Sequence, residues 1–331
     1  MNKFQFTRRA LIVGALGLSI ASSAFAAQVS METGTPNSVV GLMPQAMAPI
    51  WAKSGLDVQL AMDQTLTKSL LKMAQGTLDT SVVPPPAYAD MKAAKGAYAK
   101  LGEKGAELAQ NVRALWGFSA SNYHPIVWAD SGMKSWADIK GKRVYIGPPA
   151  GAGNAQIISL VKRASGYKDG ADYTPIKAPW GVAPQGFQDG QYDVLVVPTG
   201  TGASVITEMA LSRPIRILSL PADATPPAEL GMIKSRVPKG TYKGQVNNDQ
   251  DVTTWQTVMM VMAGKNLPDD VAYKMTKTYI ESRKNLASGN AMLKELPLDN
   301  PFGGVIAPLH PGAVKYYKEA GIAIPAELMP K

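Results

Sequence analysis

The sequence predicts an α/β protein of two related lobes, each a mixed sheet flanked by helices, with a hinge between them. Three observations predict it. The pattern G-x-x-D-x-x-V-V-P occurs twice, from Gly76 to Pro84 and from Gly190 to Pro198. A strand-like run, a Gly-rich loop and a helical stretch precede each copy at matched distance: Gly34 to Gly76 is 42 positions and Gly147 to Gly190 is 43. The chain has 331 residues, 46% hydrophobic and 18% charged, enough for two domains with their own cores.

The chain opens with a basic start (Lys3, Arg8, Arg9), an apolar run from Ala10 to Ile20, and Ala24-Phe25-Ala26 in the small-x-small form of a cleavage site. The run is well short of the roughly 20 residues a spanning helix needs. Residues 1–26 are therefore expected to be a cleaved signal peptide, and the mature chain is expected to be soluble and exported. Thr7-Arg8-Arg9-Ala10-Leu11 is similar to a twin-arginine signal, so either the Sec or the twin-arginine route is open.

In the first half, Val29 to Glu32 reads as a strand, Thr33 to Ser38 as a loop, and a helix starts near Val39. Leu66, Leu70, Leu71 and Met73 are spaced as one helix face. Gly76 ends that helix in a left-handed cap. Asp79 opens a short buried strand of β-branched residues, and Pro84 closes it. The second half repeats the order. Val144 to Ile146 is a strand and Gly147 to Asn154 a loop, followed by a helix through Ile157, Ile158, Leu160 and Val161. A weaker helix around Phe187 follows, then Gly190, Asp193 and the Val196-Val197 strand.

Ligands of open α/β sheets bind at the carboxyl ends of parallel strands. Two facing lobes would line a cleft with loops 33–38, 84–88, 147–154 and 198–204. Two of these loops open helices, whose free N–H groups and positive ends suit an oxyanion. The candidate ligand-binding residues are Thr33, Thr35, Asn37 and Ser38 on one side and Gly151, Gly153 and Asn154 on the other. Thr199 and Thr201 add hydroxyls; Tyr88 and Trp180 are candidates for apolar walls.

Most other chemistries are excluded early. With no Cys there is no thiolate nucleophile, Cys-ligated zinc, iron–sulfur cluster or disulfide. Two His argue against a multi-His metal centre. The Gly147–Asn154 loop lacks the Lys-Ser or Lys-Thr of a P-loop, and Gly151-Ala-Gly153-Asn-Ala-Gln156 ends in Gln where a dinucleotide loop has Gly. The positive charge is spread over Lys92, Lys95, Lys100, Lys104, Lys140, Lys142 and Arg143 without the aromatic interleaving of a nucleic-acid surface. No cofactor, metal or nucleic acid is expected. His124 and His310 have no G-x-S-x-G or H-E-x-x-H partner, so hydrogen-bonding roles at a hinge or helix start are expected for them. Asp79 and Asp193 read as strand-opening residues, not a catalytic pair. Asp269-Asp270 after Pro268 reads as a helix start. Trp116, Trp128 and Trp136 read as packing residues.

Several stretches resemble the TAXI class of solute receptors, which serve TRAP transporters. They are Thr33-Gly34-Thr35-Pro36, Ala129 to Ser135 running on to Gly141-Lys142-Arg143-Val144, Gly147-Pro-Pro-Ala-Gly151, Leu267-Pro268-Asp269-Asp270-Val271, and Leu309-His310-Pro311-Gly312-Ala313 followed by Tyr316-Tyr317-Lys318. The resemblance implies a two-lobe periplasmic binding protein of type II-like form that delivers a ligand to a TRAP permease. It implies that both ends of the chain build the first lobe (27–116 and 221–331), with 117–220 inserted as the second and crossings near Trp116 and Leu220. The chain departs from the class in the loops. Val39 and Val40 stand where hydroxyl and Tyr residues are usual, Pro84-Pro85-Pro86 replace a Gln, and Ala150-Gly151-Ala152-Gly153 replace Ser and Thr. Thr199-Gly200-Thr201-Gly202 stands in place of T-G-H-P. A monocarboxylate with an apolar or aromatic portion is the expected ligand of a monomeric, non-enzymatic receptor. A sensor of the same fold bound to a signalling partner is the alternative, and an exported hydrolase using His124 or His310 a further one.

Overall fold

The computed structural model describes residues 27–36, 38–149, 153–294, 296 and 300–330. Residues 1–26, expected to be a signal peptide, and the candidate site residues Asn37 and Gly151 lie outside these residues.

The first half runs β1 (Ala27–Glu32), α1 (Val39–Lys53), β2 (Leu56–Ala61), α2 (Leu66–Ala74), β3 (Thr80–Val83), α3 (Pro85–Lys92) and α4 (Glu103–Ala109) into the long strand β4 (Val112–Trp128). The second contains β5 (Arg143–Tyr145), α5 (Gly153–Ser165), β6 (Thr174–Ile176), α6 (Ala183–Gln188), β7 (Val194–Thr199), α7 (Ser204–Ser212), β8 (Ile215–Ile217) and β9 (Met232–Val237). A second long strand, β10 (Val252–Gly264), leads to α8 (Asp269–Gly289) and α9 (Pro311–Glu319).

One mixed sheet carries all ten strands, in the order β2-β1-β3-β10-β4-β7-β5-β6, with β8 on β4 and β9 on β10. The order is palindromic. β1 pairs in parallel with β2 and β3, as β5 does with β6 and β7. β10 and β4 run antiparallel through the middle. This is the mixed α/β class expected from the sequence.

The repeated motif does the same work in both halves. Gly76 (φ 78°) and Gly190 (φ 70°) take the left-handed conformation that ends a helix. The next residue, Thr77 or Gln191, donates its N–H back to Lys72 O or Gly186 O. Asp79 Oδ2 then accepts the Ser30 N–H of the neighbouring strand at 2.8 Å, and Asp193 Oδ2 accepts that of Arg143 at 2.9 Å. In each half the carboxylate fixes where the third strand starts against the first. Asp193 also holds the Arg143 guanidinium at 2.7 Å, and that bond is the main reason its carboxyl titrates below the usual range.

The buried residues form one core from both chain ends, including Met43, Trp51, Val82, Trp116, Met260 and Tyr317. Two more cores cover the faces of the second half, around Tyr123, Val144 and Trp255 and around Ile126, Leu195 and Tyr242. The chain changes core between Ala120 and Tyr123 in β4 and between Trp255 and Met260 in β10. The sequence expectation placed these crossings near Trp116 and Leu220. β9 pairs along the start of β10, and Ala224, Met232, Val237 and Tyr242 pack with the second half. Beside the crossing Thr257 faces Ser121 while Val258 faces Ser119, which leaves Ala120 as a bulge. A bulge bends a strand and raises its twist.

Candidate functional site

The four loops singled out above follow β1, β3, β5 and β7, at the carboxyl ends of the parallel strands. After β1, Ser38 caps α1: its Oγ accepts the Gly41 N–H at 3.2 Å and donates to Thr35 O at 2.8 Å. Thr33 is buried and its hydroxyl donates to Val40 O at 2.7 Å. Thr35 is exposed. These hydroxyls therefore split: Thr33 and Ser38 build the loop, and Thr35 faces outward. The first turn of α1 holds no acidic residue, so its positive end is unopposed within the helix.

After β3 the outcome is set by proline. α3 begins at Pro85 with Pro84 as its cap and Pro86 next, so its first turn lacks two N–H groups an anion would need. Tyr88 lies in the first core at 6% exposure, which leaves little surface for an apolar wall. Pro85 packs instead against Gly231 of the second half (φ 59°), where a Cβ would lie 2.8 Å from the proline ring.

After β5, Asn154 donates its Nδ2–H to Ile146 O at 2.5 Å and so ties the start of α5 to the strand end. A Cβ on Gly153 would come within 2.6 Å of the Trp180 ring, and one on Gly147 (φ 95°) within 3.2 Å. Gly147 and Gly153 thus make room for the indole. Trp180 is 36% exposed and meets Tyr145 edge-on at 5.8 Å. It forms an apolar plate on the loop. Gly153→Ala is expected to swing this plate outward for less than about 1 kcal/mol, because a side chain rather than backbone must move. The other tryptophans are buried, so iodide quenching of the total emission should rise.

After β7, Thr199 pairs with Asn122 of β4, and Thr201 Oγ1 accepts the Asn122 Nδ2–H at 2.8 Å. Gly202 donates its N–H to Tyr242 Oη at 3.0 Å. Gly200 lies under Met292, whose atoms would be 3.2 Å from a Cβ there. Met292 packs on the first core, so this contact and that of Gly231 with Pro85 both join the two halves.

A family model described as the NMT1-like family matches residues 72–321. The chain belongs to the NMT1-like family. Its fold is similar to that of the periplasmic sulfonate-binding protein SsuA of Methylobacillus flagellatus KT, with a TM-score of 0.52, 12% identity, and 93% of this chain and 81% of that chain covered. It is also similar to the periplasmic aliphatic sulphonate-binding protein SsuA of Escherichia coli (TM-score 0.47, 12% identity, 91% and 90% covered). A TRAP periplasmic solute-binding protein of Marinobacter aquaeolei VT8 matches at a TM-score of 0.48, 12% identity, and 88% and 91% covered. The M. flagellatus protein with which it shares this fold is itself a sulfonate-binding protein.

In this NMT1-like chain both histidines are engaged in the scaffold. His124 is expected before a strand but lies inside one, because β4 continues through Pro125. Its Nδ1 lies 2.9 Å from Asn122 O and its Nε2 2.9 Å from Tyr242 Oη, so neither nitrogen is left for a substrate. Burial pushes it down to about 4. His310 caps α9, accepting the Gly312 N–H on Nδ1. Asp269 and Asp270 fill the first turn of α8 as expected. Among the described residues no group of three or more His, Asp or Glu could hold a metal ion, and no helix is long and apolar enough to cross a membrane. The four loops carry no charged side chain. What they offer a ligand is neutral: backbone N–H groups at two helix starts, an outward hydroxyl at Thr35 and an indole face. Two cavities, beside Gly76, Asp79 and Lys265 and beside Lys142, Asp193 and Arg213, lie at the opposite ends of the parallel strands.

Sequence reasoning passed over Asn122, Tyr242 and Gln156. Asn122 and Gln156 are buried; Tyr242 is completely so. The signal was faint: a polar Asn-Tyr-His run in the middle of a mostly apolar strand that also carries Arg113, Ser119 and Ser121.

Proposed function

We propose that this protein is an exported receptor, freed of residues 1–26 in the periplasm, that closes its two halves over a small organic monoanion and hands it to a membrane permease of the TRAP type. It acts as a monomer, without cofactor, metal or nucleic acid. The carrying observation is the palindromic sheet: two units of like topology, with separate cores, share one continuous sheet through β4 and β10 and abut at the loop ends. Two further observations favour a ligand with an apolar or aromatic portion. The loops lack charged partners for a second carboxylate, and an unpaired polar group buried there would cost about 1–3 kcal/mol. Trp180 supplies a flat apolar surface beside α5. On the first side, Thr35 and the start of α1 remain for the carboxylate, with Asn37 and Ser38 beside them. On the second, the start of α5 at Gly153 and Asn154 faces it, with Thr199 and Thr201; Gly151 is a candidate from the sequence alone.

A thermal-shift panel of aliphatic and aromatic monocarboxylates, dicarboxylates and sulfonates tests this. A monocarboxylate at about 100 times its dissociation constant should add about 2.7 kcal/mol of stability, a rise on the order of 5 °C. Stabilisation by dicarboxylates alone rejects the ligand class. Indifference to every acid rejects the receptor reading.

A further inference from the structure

We infer that His124 and Tyr242 are positioning residues that hold the loop between β7 and α7 in a single conformation through a one-way chain of hydrogen bonds. The inference rests on the proposed function in one respect only, that this loop belongs to the binding face.

The chain joins three buried side chains to the exposed Gly202. Asn122 O is an acceptor, so the proton between it and His124 resides on Nδ1 at 2.9 Å. The neutral imidazole then has its lone pair on Nε2, which lies 2.9 Å from Tyr242 Oη and must accept the phenol proton. The phenol oxygen in turn accepts the Gly202 N–H at 3.0 Å. The direction of every bond follows from the first. Asn122 also grips the same loop one residue earlier, through Nδ2 to Thr201 Oγ1 at 2.8 Å. His124 and Tyr242 are fully buried, and their rings meet edge-on at 5.6 Å. Asn122 and His124 stand on β4 immediately after the change of core, and Tyr242 stands between β9 and β10. Two segments that flank the crossing thus fix a loop whose other contact is Met292 from the first core.

Nuclear magnetic resonance of the ligand-free protein decides it. In the wild type, His124 is expected as the Nδ1–H tautomer, and the Gly202 amide is expected to exchange about tenfold more slowly than in Tyr242→Phe. Phenylalanine keeps the ring, so the amides of β7 should keep their protection. A purely packing role predicts the same Gly202 exchange in both proteins, and that result, or an Nε2–H tautomer, overturns the inference. The tautomer is read on the wild type and decides the matter even if the variant does not fold. Failure of every acid in the thermal panel would sink the receptor reading and leave this chain standing; an unprotected Gly202 would do the reverse.

Discussion

Gly41→Ala is expected to cost about 3 kcal/mol of stability and to abolish ligand binding. Gly41 sits in the first turn of α1, and a Cβ there would lie 2.1 Å from Thr35 O and 2.8 Å from Thr35 C. Both obstacles are backbone, so no rotamer change relieves them. Overpacking of this kind costs about 1–3 kcal/mol. Thr35 O also accepts the Ser38 hydroxyl, and Ser38 Oγ accepts the Gly41 N–H. Moving the loop away from the new methyl therefore breaks the cap as well, worth about 1 kcal/mol. The loop that must move carries Thr35 and the positive end of α1. Urea unfolding should show a lower midpoint with an unchanged slope, since the core is intact. The stabilisation by the best ligand of the panel should vanish. A variant that melts like the wild type would mean the loop tolerates displacement and is no fixed part of a site.

The contrast between Gly41 and Gly153 explains what could be read from the sequence. The repeated Gly-x-x-Asp was legible because its chemistry is local: a left-handed cap and a carboxylate that accepts a strand N–H leave few residue choices. The helix starts were legible for the same reason, with Ser38 and His310 as caps. The crossings were not. β4 and β10 are buried along almost their whole length, so the polar Ser119, Ser121 and Asn122 of one and Gln256 and Thr257 of the other, where they pass from one core to the next, do not end either strand. What marks the passage is a one-residue register shift against a strand more than a hundred positions away. Nor does a Gly-rich loop declare what its glycines admit. At Gly147 and Gly153 the neighbour is Trp180, which arrives from another loop. The Asn122–His124–Tyr242 chain was illegible because its members come from distant segments and share no motif.

Acid should unfold the protein earlier than its carboxylates require, and His124 is the main cause. Burial lowers its folded-state value from 6.5 to about 4, the opposing pull of Asn122 O being smaller. The unfolded chain therefore takes up a proton first. Stability is untouched by this group above pH 6.5, falls as pH drops from 6.5 toward 4, and levels off below. The difference amounts to about 3 kcal/mol. His310 is lowered as well, again chiefly by burial, and steepens the same slope. The carboxylates held low, Asp138 by the Lys134 and Ser135 N–H groups and Asp193 by Arg143, lose their contribution only below their ordinary value of 3.8. In the window between 6.5 and 4 the histidines drive the decline, which Asp90, raised chiefly by burial, opposes toward the lower end. Urea midpoints at pH 7, 5.5 and 4.5 should decline steadily in the wild type. His124→Gln should start lower, having lost the bonds to Asn122 and Tyr242, but decline less. Parallel declines in the two proteins would show that the buried imidazole is not what acid attacks. A charged His124 would also present Nε2–H to the Tyr242 oxygen, which could then no longer give its own proton there. The loop after β7 should accordingly loosen only as pH falls to about 4, where the folded-state imidazole takes up its proton.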